Sequence, residues 1–231
     1  MSNNPITVKT AMEVVQHEGI VRQAYKDSVG VWTWGVGITS SSGHKVDRYI
    51  NNPQPMQRCL EIWLWVLENY AKDVREEFDG HSLTEAQFAA ALSFHWNTGA
   101  IRSATWVDQW KAGNVDSARR SFMNWSKPPE IIPRREAERD LFFDGIWSNK
   151  GTATEYTKVR SNYTPDWGSA VVVDIADDVR SILGDSTTDT PVIPGADKIQ
   201  AVIDGIDASS DVGSKVVHYL QQALLWMKHG G

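Results

Sequence analysis

Residues 18–37, EGIVRQAYKDSVGVWTWGVG, contain the signals that decide the fold of this chain. Apolar residues recur at helical spacing just before them, which predicts a helix over residues 7–18 that stops at Gly19. Residues 26–30 have the composition of a turn, and residues 31–36 are rich in β-branched and aromatic side chains. The stretch therefore predicts a helix followed by a β-hairpin.

Three side chains in this stretch, Glu18, Asp27 and Thr33, form the pattern E-x8-D-x5-T. Two carboxyl groups and a hydroxyl are the groups needed to hydrolyse a glycosidic bond. At a helix end, exposed carbonyl groups favour the protonated form of Glu18, which suits a general acid. Taken singly, each residue is also typical of an ordinary helix end or turn.

The whole stretch resembles the active-site segment of the phage-type lysozymes, the muramidases of glycoside hydrolase family 24. The resemblance implies that Glu18 is the proton donor, that Asp27 positions or activates the attacking water, and that Thr33 lines the same site. Many family members have a histidine after the last glycine, whereas this chain has Ile38. The resemblance extends over roughly residues 7–148.

Two later stretches support the same resemblance. Residues 93–99, SFHWNTG, resemble the family's helix-ending segment, and residues 134–147 resemble its last helix. The resemblance places Arg134 near the acid, where a guanidinium would favour ionised Glu18 and oppose the effect of the helix end. Alternatively, Arg134 and Arg135 belong to a solvated helix face.

Four residues are candidates for substrate binding. Trp32 and Trp34 bracket Thr33, and aromatic rings on a cleft wall can stack on sugar faces. Gly37 offers bare backbone that a ligand can approach closely. Arg134 is included because of its expected position beside the acid.

The resemblance implies an α+β, mainly α, lysozyme-like fold with a small β lobe and a helical lobe. It also implies hydrolysis of the β-1,4 bond between N-acetylmuramic acid and N-acetylglucosamine in peptidoglycan, as in a phage or prophage endolysin. A lytic transglycosylase and a non-catalytic wall-binding particle component are the alternatives. Sequence spacing leaves open whether the reaction inverts or retains configuration, because that depends on the separation of the carboxyl groups.

Hydrophobic periodicity predicts the helices of the second lobe. A long helix over residues 55–78 would join the lobes, and a helix-start signal at residues 83–87 begins the next helix. The remaining predicted helices span residues 106–111, 115–125 and 134–143.

Composition limits the other possibilities. The single cysteine, Cys59, excludes an intramolecular disulfide and is expected to be a buried helical residue. The six histidines lack metal-ligand spacing and no phosphate-binding loop is found, so we expect no metal or cofactor. We also expect no nucleic-acid partner and no stable membrane insertion.

The N-terminal residues contain no basic region followed by an apolar run, so no signal peptide is expected. A wall hydrolase of this kind would be made in the host cytoplasm. It would reach the cell wall or periplasm through a holin-type pore or inside a particle.

The last part of the chain differs in character. Residues 1–167 are predicted to be the catalytic domain and residues 168–231 an acidic extension, with four Lys and Arg against nine Asp and Glu. Residues 184–195 have linker composition. Apolar residues from Ile175 to Leu183 and from Val212 to Met227 have helical spacing. We expect these amphipathic helices to dock on the body or on another subunit, which makes an oligomer possible.

Overall fold

The structure, a computed structural model, describes residues 4–184 together with Val216 and Leu220. The α-helices of residues 4–184 are α1 Val8–Val15, α2 Met56–Glu77, α3 Glu85–Thr98, α4 Thr105–Lys111, α5 Val115–Phe122, α6 Ile132–Asp144 and α7 Ala176–Leu183. The strands are β1 Gly19–Lys26, β2 Trp32–Val36, β3 Ile38–Thr39, β4 Thr152–Tyr156 and β5 Ala170–Asp174. This α+β, mainly helical architecture is the one predicted.

The strands form one mixed sheet in the order β3-β2-β1-β4-β5. Strands β1 and β2 are the predicted hairpin, and their antiparallel register pairs Tyr25 with Thr33. Strand β4 returns from the far end of the chain and lies parallel to β1, with Thr154 beside Gly19. The sequence analysis did not anticipate β4 or β5.

The helical lobe follows the predicted periodicity. Helix α2 begins after Pro55 and ends at Glu77, within one residue of the predicted bounds at each end. Helix α3 begins with a capping box, in which Thr84 and Gln87 satisfy each other's backbone N–H groups. The large aromatic side chains of α3 to α6 pack together, and Trp106 is fully buried among them.

Helix α1 is shorter than predicted. It ends at Val15, and the N–H of Glu18 donates to the carbonyl of Val15 at 3.0 Å in a tight turn. Gly19 is the first residue of β1 and does not end the helix through a left-handed conformation. A Cβ at Gly19 would lie 2.6 Å from Cε2 of Tyr156, so the Tyr156 ring would have to shift to admit any larger residue there.

The segment after the predicted boundary at residue 167 continues the body. Strand β5 pairs with β4, and Ile175 and Val179 of the following helix are 2% and 0% exposed. Helix α7 packs against α1 and α2, as expected for the first amphipathic segment of the extension. All of residues 4–184 belong to one compact unit.

The second predicted amphipathic segment is described only at Val216 and Leu220, both in helical backbone. The predicted linker beyond Gly184 and the other residues of that segment lie outside the described part of the chain. In the part that is described, no helix has the length and apolar character to cross a membrane.

Candidate active site

The three residues of the sequence pattern lie where the first helix meets the sheet. Glu18 occupies the turn between α1 and β1, Asp27 begins the hairpin turn, and Thr33 lies on β2. Thr33 and its cross-strand partner Tyr25 point to the same face of the sheet, because directly opposed residues share a face. Burial of Tyr25, followed by the charges of Glu18 and Asp27, raises its phenol pKa. These groups therefore surround one region of the surface.

Glu18 is fixed by a cation from the helical lobe. Nη1 of Arg134 on α6 donates to Oε1 of Glu18 at 2.5 Å, and the Glu18 side chain is 19% exposed. On the other side, Gly37 has φ +72°, and a Cβ built on it would lie 3.3 Å from Oε2 of Glu18 and 3.8 Å from Nε1 of Trp96. Any larger residue at position 37 would therefore crowd the second carboxyl oxygen of Glu18.

Arg134 is a buried cation shared by two carboxylates. Its side chain is 7% exposed, and its Nε donates to Oε1 of Glu138 at 2.8 Å. Its Nη2 donates to the carbonyl of Ser93 at 3.1 Å, and the Ser93 hydroxyl donates to Glu138 at 2.6 Å. Helices α3 and α6 therefore hold the guanidinium toward Glu18 by several bonds.

Arg135 is the fourth member of this ion cluster, with Glu18, Arg134 and Glu138. It is fully buried, donates to Oε2 of Glu138, and donates to Oδ1 of Asn97 at 2.6 Å. Its guanidinium also lies 4.7 Å from the ring centroid of Phe94. The alternative that Arg134 and Arg135 decorate a solvated helix face is wrong. A buried ion pair requires such complete hydrogen bonding to offset desolvation.

His17 lies beside the same cations. Burial, followed by the charges of Arg134 and Arg135, lowers its pKa to about 3. His17 is therefore neutral at physiological pH, and the cluster of Glu18, Glu138, Arg134 and Arg135 has no net charge when both carboxyl groups are ionised.

Asp27 is oriented by its own turn. Its Oδ1 accepts from the backbone N–H groups of Val29 at 3.0 Å and Val31 at 2.9 Å. Both bonds fall on the same oxygen, so the turn holds Oδ1 in place. The hydroxyl of Thr33, which is 4% exposed, donates to the carbonyl of Val31 at 3.2 Å. The hairpin turn thus links the second carboxylate and the hydroxyl.

The two tryptophans predicted to line the cleft do not share the face of Thr33. Successive side chains of a strand point to opposite faces, so Trp32 and Trp34 lie on the other side. Trp34 is 0% exposed, stacks on Tyr49 at 4.1 Å and donates to the carbonyl of Arg22. The assignment of Trp34 to the cleft wall is corrected: it is a core residue. Trp32 packs edge-on against Tyr163 at 5.1 Å.

An open pocket of about 390 Å³ lies at the C-terminal end of α3 in the helical lobe. It is lined by amide, hydroxyl, ammonium and apolar side chains, namely Asn97, Thr98, Asn124, Trp125, Lys127, Pro128 and Ile131. Asn97 also accepts from Arg135, so the pocket wall is continuous with the buried ion cluster.

Other sequence expectations can be located in the same structure. Cys59 is buried in α2, and burial raises its thiol pKa to about 12. Ile38, which replaces the histidine of many family members, is a core residue of β3 at 1% exposure. Residues 4–184 contain no group of three or more side chains able to hold a metal ion.

Sequence reasoning missed Tyr25, Ser93 and Glu138 as partners of the site. Tyr25 could have been found from strand alternation, since it lies opposite Thr33 once the turn is placed. Ser93 and Glu138 could not, because their roles depend on packing between α3 and α6.

A helical lobe, a small β lobe and a glutamate at their junction define a lysozyme-like protein. A model of the phage lysozyme family matches residues 15–138, and the chain belongs to that family. The endolysin of Bacillus phage B103 is 33% identical over 105 residues, which cover 40% of this chain and 39% of that relative. The endolysin of Salmonella phage P22 is 30% identical over 151 residues, which cover 62% of this chain and 97% of that relative.

Among solved structures, the endolysin from Escherichia coli O157:H7 phage FAHEc1 is similar with a TM-score of 0.57. The identity is 21%, and the match covers 64% of this chain and 99% of that one. This likeness supports the lysozyme-like fold predicted from the sequence.

Proposed function

We propose that this chain is a muramidase that hydrolyses the β-1,4 bond between N-acetylmuramic acid and N-acetylglucosamine in peptidoglycan. Family membership supports the class of reaction, a glycoside hydrolase acting on the bacterial cell wall for host lysis. The observation that supports the residue assignment best is the contact of Glu18 with buried Arg134 at the junction of the two lobes.

Glu18 is the general acid in this proposal. It gives its proton to the oxygen of the leaving sugar through Oε2, the carboxyl oxygen that adjoins Gly37. The carboxylate formed in that step meets Arg134 at Oε1, so its charge is stabilised as it develops. A fixed cation of this kind acts without reorganisation during the reaction.

Asp27 and Thr33 act on the other side of the bond in this proposal. Two backbone N–H groups hold Asp27 in one orientation, with Oδ2 assigned to the attacking water or to the developing positive charge of the sugar. Thr33 donates its proton to the carbonyl of Val31, which leaves its oxygen lone pairs to accept from the water.

Substrate binding is assigned to the surfaces that adjoin these groups. Gly37 lets the glycan backbone approach beside Glu18, and Trp96 adjoins the same position from α3. Arg134 is buried, so we assign it to the orientation of Glu18 and not to direct sugar contact. Export through a holin-type pore and association through the C-terminal helices stay predictions.

Mass spectrometry of digested sacculi tests the reaction class. Hydrolysis gives products with reducing muramic acid ends, which is the expected result. Anhydromuramic ends would show a lytic transglycosylase instead. Intact sacculi that retain bound protein would show a wall-binding component without turnover, and either outcome would overturn the proposal.

A further inference from the structure

Strand β4 brings an aromatic ring to the catalytic face from outside the family-matched segment. The match ends at residue 138, whereas β4 begins at Thr152. Because Thr154 lies beside Gly19, the side chains of Thr154 and Tyr156 share the face of Gly19. The Tyr156 ring covers Gly19 closely enough that a Cβ there would lie 2.6 Å from it. Tyr156 therefore lies over Gly19, the residue that directly follows Glu18.

A second aromatic ring continues outward from Tyr156. The indole of Trp167 meets Tyr156 edge to face with the ring centroids 4.9 Å apart, and Trp167 is 59% exposed. Tyr156 in turn influences the phenol of Tyr25 electrostatically, which places the two tyrosines near each other. Tyr156 and Trp167 thus form an aromatic pair that runs from Gly19 toward solvent.

The loop that presents Trp167 is fixed by hydrogen bonds. The N–H of Asp166 donates to the carbonyl of Lys158 at 2.9 Å, and Oδ1 of Asp166 accepts from Gly168 at 3.3 Å. The loop is also tied to the catalytic hairpin, since the N–H of Lys26 donates to the carbonyl of Tyr163 at 2.7 Å. A surface that is ordered in advance loses less entropy when it binds a ligand.

We propose that Tyr156 and Trp167 form an additional saccharide-binding site, which holds a β-1,4-linked chain of N-acetylated hexosamines beyond the bond that is cleaved. The inference rests on the proposed function for the nature of the ligand. Pyranose rings have apolar C–H faces, and a partly exposed aromatic ring with a rigid side chain is a suitable partner for them. The pair lies next to the proposed active site, because the Tyr156 ring covers the residue that follows Glu18. A glycan strand that extends from the active site is therefore the ligand that we assign to it.

Binding measurements in the full chain with Glu18→Gln test this site without turnover. The probes are purified sacculi and a hexamer of β-1,4-linked N-acetylglucosamine. We expect Trp167→Ala to weaken binding of both about three- to tenfold, the range of a single aromatic contact. Ile146→Ala is the matched control, because Ile146 is also apolar and 59% exposed but follows α6. Equal binding by Trp167→Ala and Ile146→Ala would overturn the proposal.

Two further variants separate ring stacking from a structural effect. Trp167→Phe keeps an aromatic face and should retain most of the affinity. Trp167→Leu keeps apolar bulk without a ring and should bind as weakly as Trp167→Ala, at an unchanged melting temperature. If Trp167→Leu binds as well as Trp167→Phe, aromatic stacking is not the cause and the inference fails.

Failure of this inference and failure of the proposed function give different results. If Trp167→Ala hydrolyses sacculi with an unchanged KM, the proposed muramidase activity stands and the additional saccharide-binding site is rejected. If the wild-type protein binds sacculi through Trp167 but releases no products, the additional site stands and the proposed muramidase activity is rejected.

Discussion

Arg134 on α6 contacts Glu18, in the turn before β1, at 2.5 Å, although the two residues are 116 positions apart in the sequence. The contact joins the helical lobe to the β lobe at the acid itself. The same guanidinium binds Glu138, so the position of the acid depends on the packing of α3 against α6. With Glu18 as the proposed proton donor, catalysis and stability are coupled through the side chain of Arg134.

Arg134→Ala should destabilise the protein by about 3–5 kcal/mol, because it leaves buried Glu138 without this cation and Glu18 without its partner. Denaturant unfolding of the full chain measures the effect. Arg102→Ala is the matched control, since Arg102 also binds two carboxylates but is 51% exposed. Its loss should cost less than about 1 kcal/mol. Similar unfolding midpoints for the two variants would contradict the account.

Gly37→Ala should lower activity by more than its loss of stability accounts for. Gly37 and Gly43 both have positive φ, so alanine costs about 1 kcal/mol of backbone strain at either position. Only at Gly37 does the new Cβ approach a carboxyl oxygen of Glu18, at 3.3 Å, whereas nothing lies within 4 Å of a Cβ at Gly43. Turnover of sacculi and melting temperature should be compared for both variants. Equal activity losses would show that Gly37 has no special relation to Glu18.

His17→Gln should reduce the loss of stability in mild acid. The pKa of His17 is lowered to about 3 in the folded protein, from an ordinary value of 6.5, so the unfolded chain binds the extra proton first. The contribution of neutral His17 to the free energy of unfolding is fully present above pH 6.5. It is lost as pH falls toward 3, by about 1.4 kcal/mol per pH unit. His44, with a pKa lowered to about 4, contributes in the same direction.

The test is the melting temperature of wild type and His17→Gln between pH 4.5 and 6.5. The variant should show a smaller decrease across that interval. Parallel curves would mean that His17 is not held neutral by burial and the neighbouring arginines.

Truncation after residue 184 should preserve folding and activity, whereas truncation after residue 167 should not. The shorter chain loses β5 and α7, and with them Ile175 and Val179, which are almost fully buried. Burial of such side chains contributes about 1.5–3 kcal/mol each. Thermal unfolding and lysis of permeabilised cells by both chains give the answer. A stable, active chain of residues 1–167 would support the domain boundary predicted from composition and contradict this expectation.

The elements that could be predicted are those with local signals. Helix α2 was found from its period and from Pro55, and the hairpin from the turn at residues 26–30 followed by a β-rich run. The three residues of the pattern are singled out by their types, their spacing and the family resemblance, and they lie in the turn before β1, the hairpin turn and β2. Their roles in catalysis remain the proposal.

The parts that could not be predicted depend on tertiary contacts. Strand β4 is short and partly polar, and it is fixed by pairing with β1 and by the ion pair of Glu155 with Arg22 at 2.7 Å. The position of Trp34 next to Thr33 predicts a place on the cleft wall. Its side chain points into the core instead, because successive side chains of a strand point to opposite faces. The early end of α1 likewise follows from the tight turn that places Glu18 beneath Arg134.

The central claim is that Glu18 is the proton donor, and Glu18→Gln tests it most directly. The amide keeps the size of the side chain but has no acidic proton, so the fold should survive while general-acid catalysis is lost. The measurement is the rate of release of reducing ends from purified sacculi, with the melting temperature as the control for folding. The account predicts a decrease of about 10²–10⁴-fold or more at a similar melting temperature. A folded Glu18→Gln variant with a rate near that of wild type would contradict it.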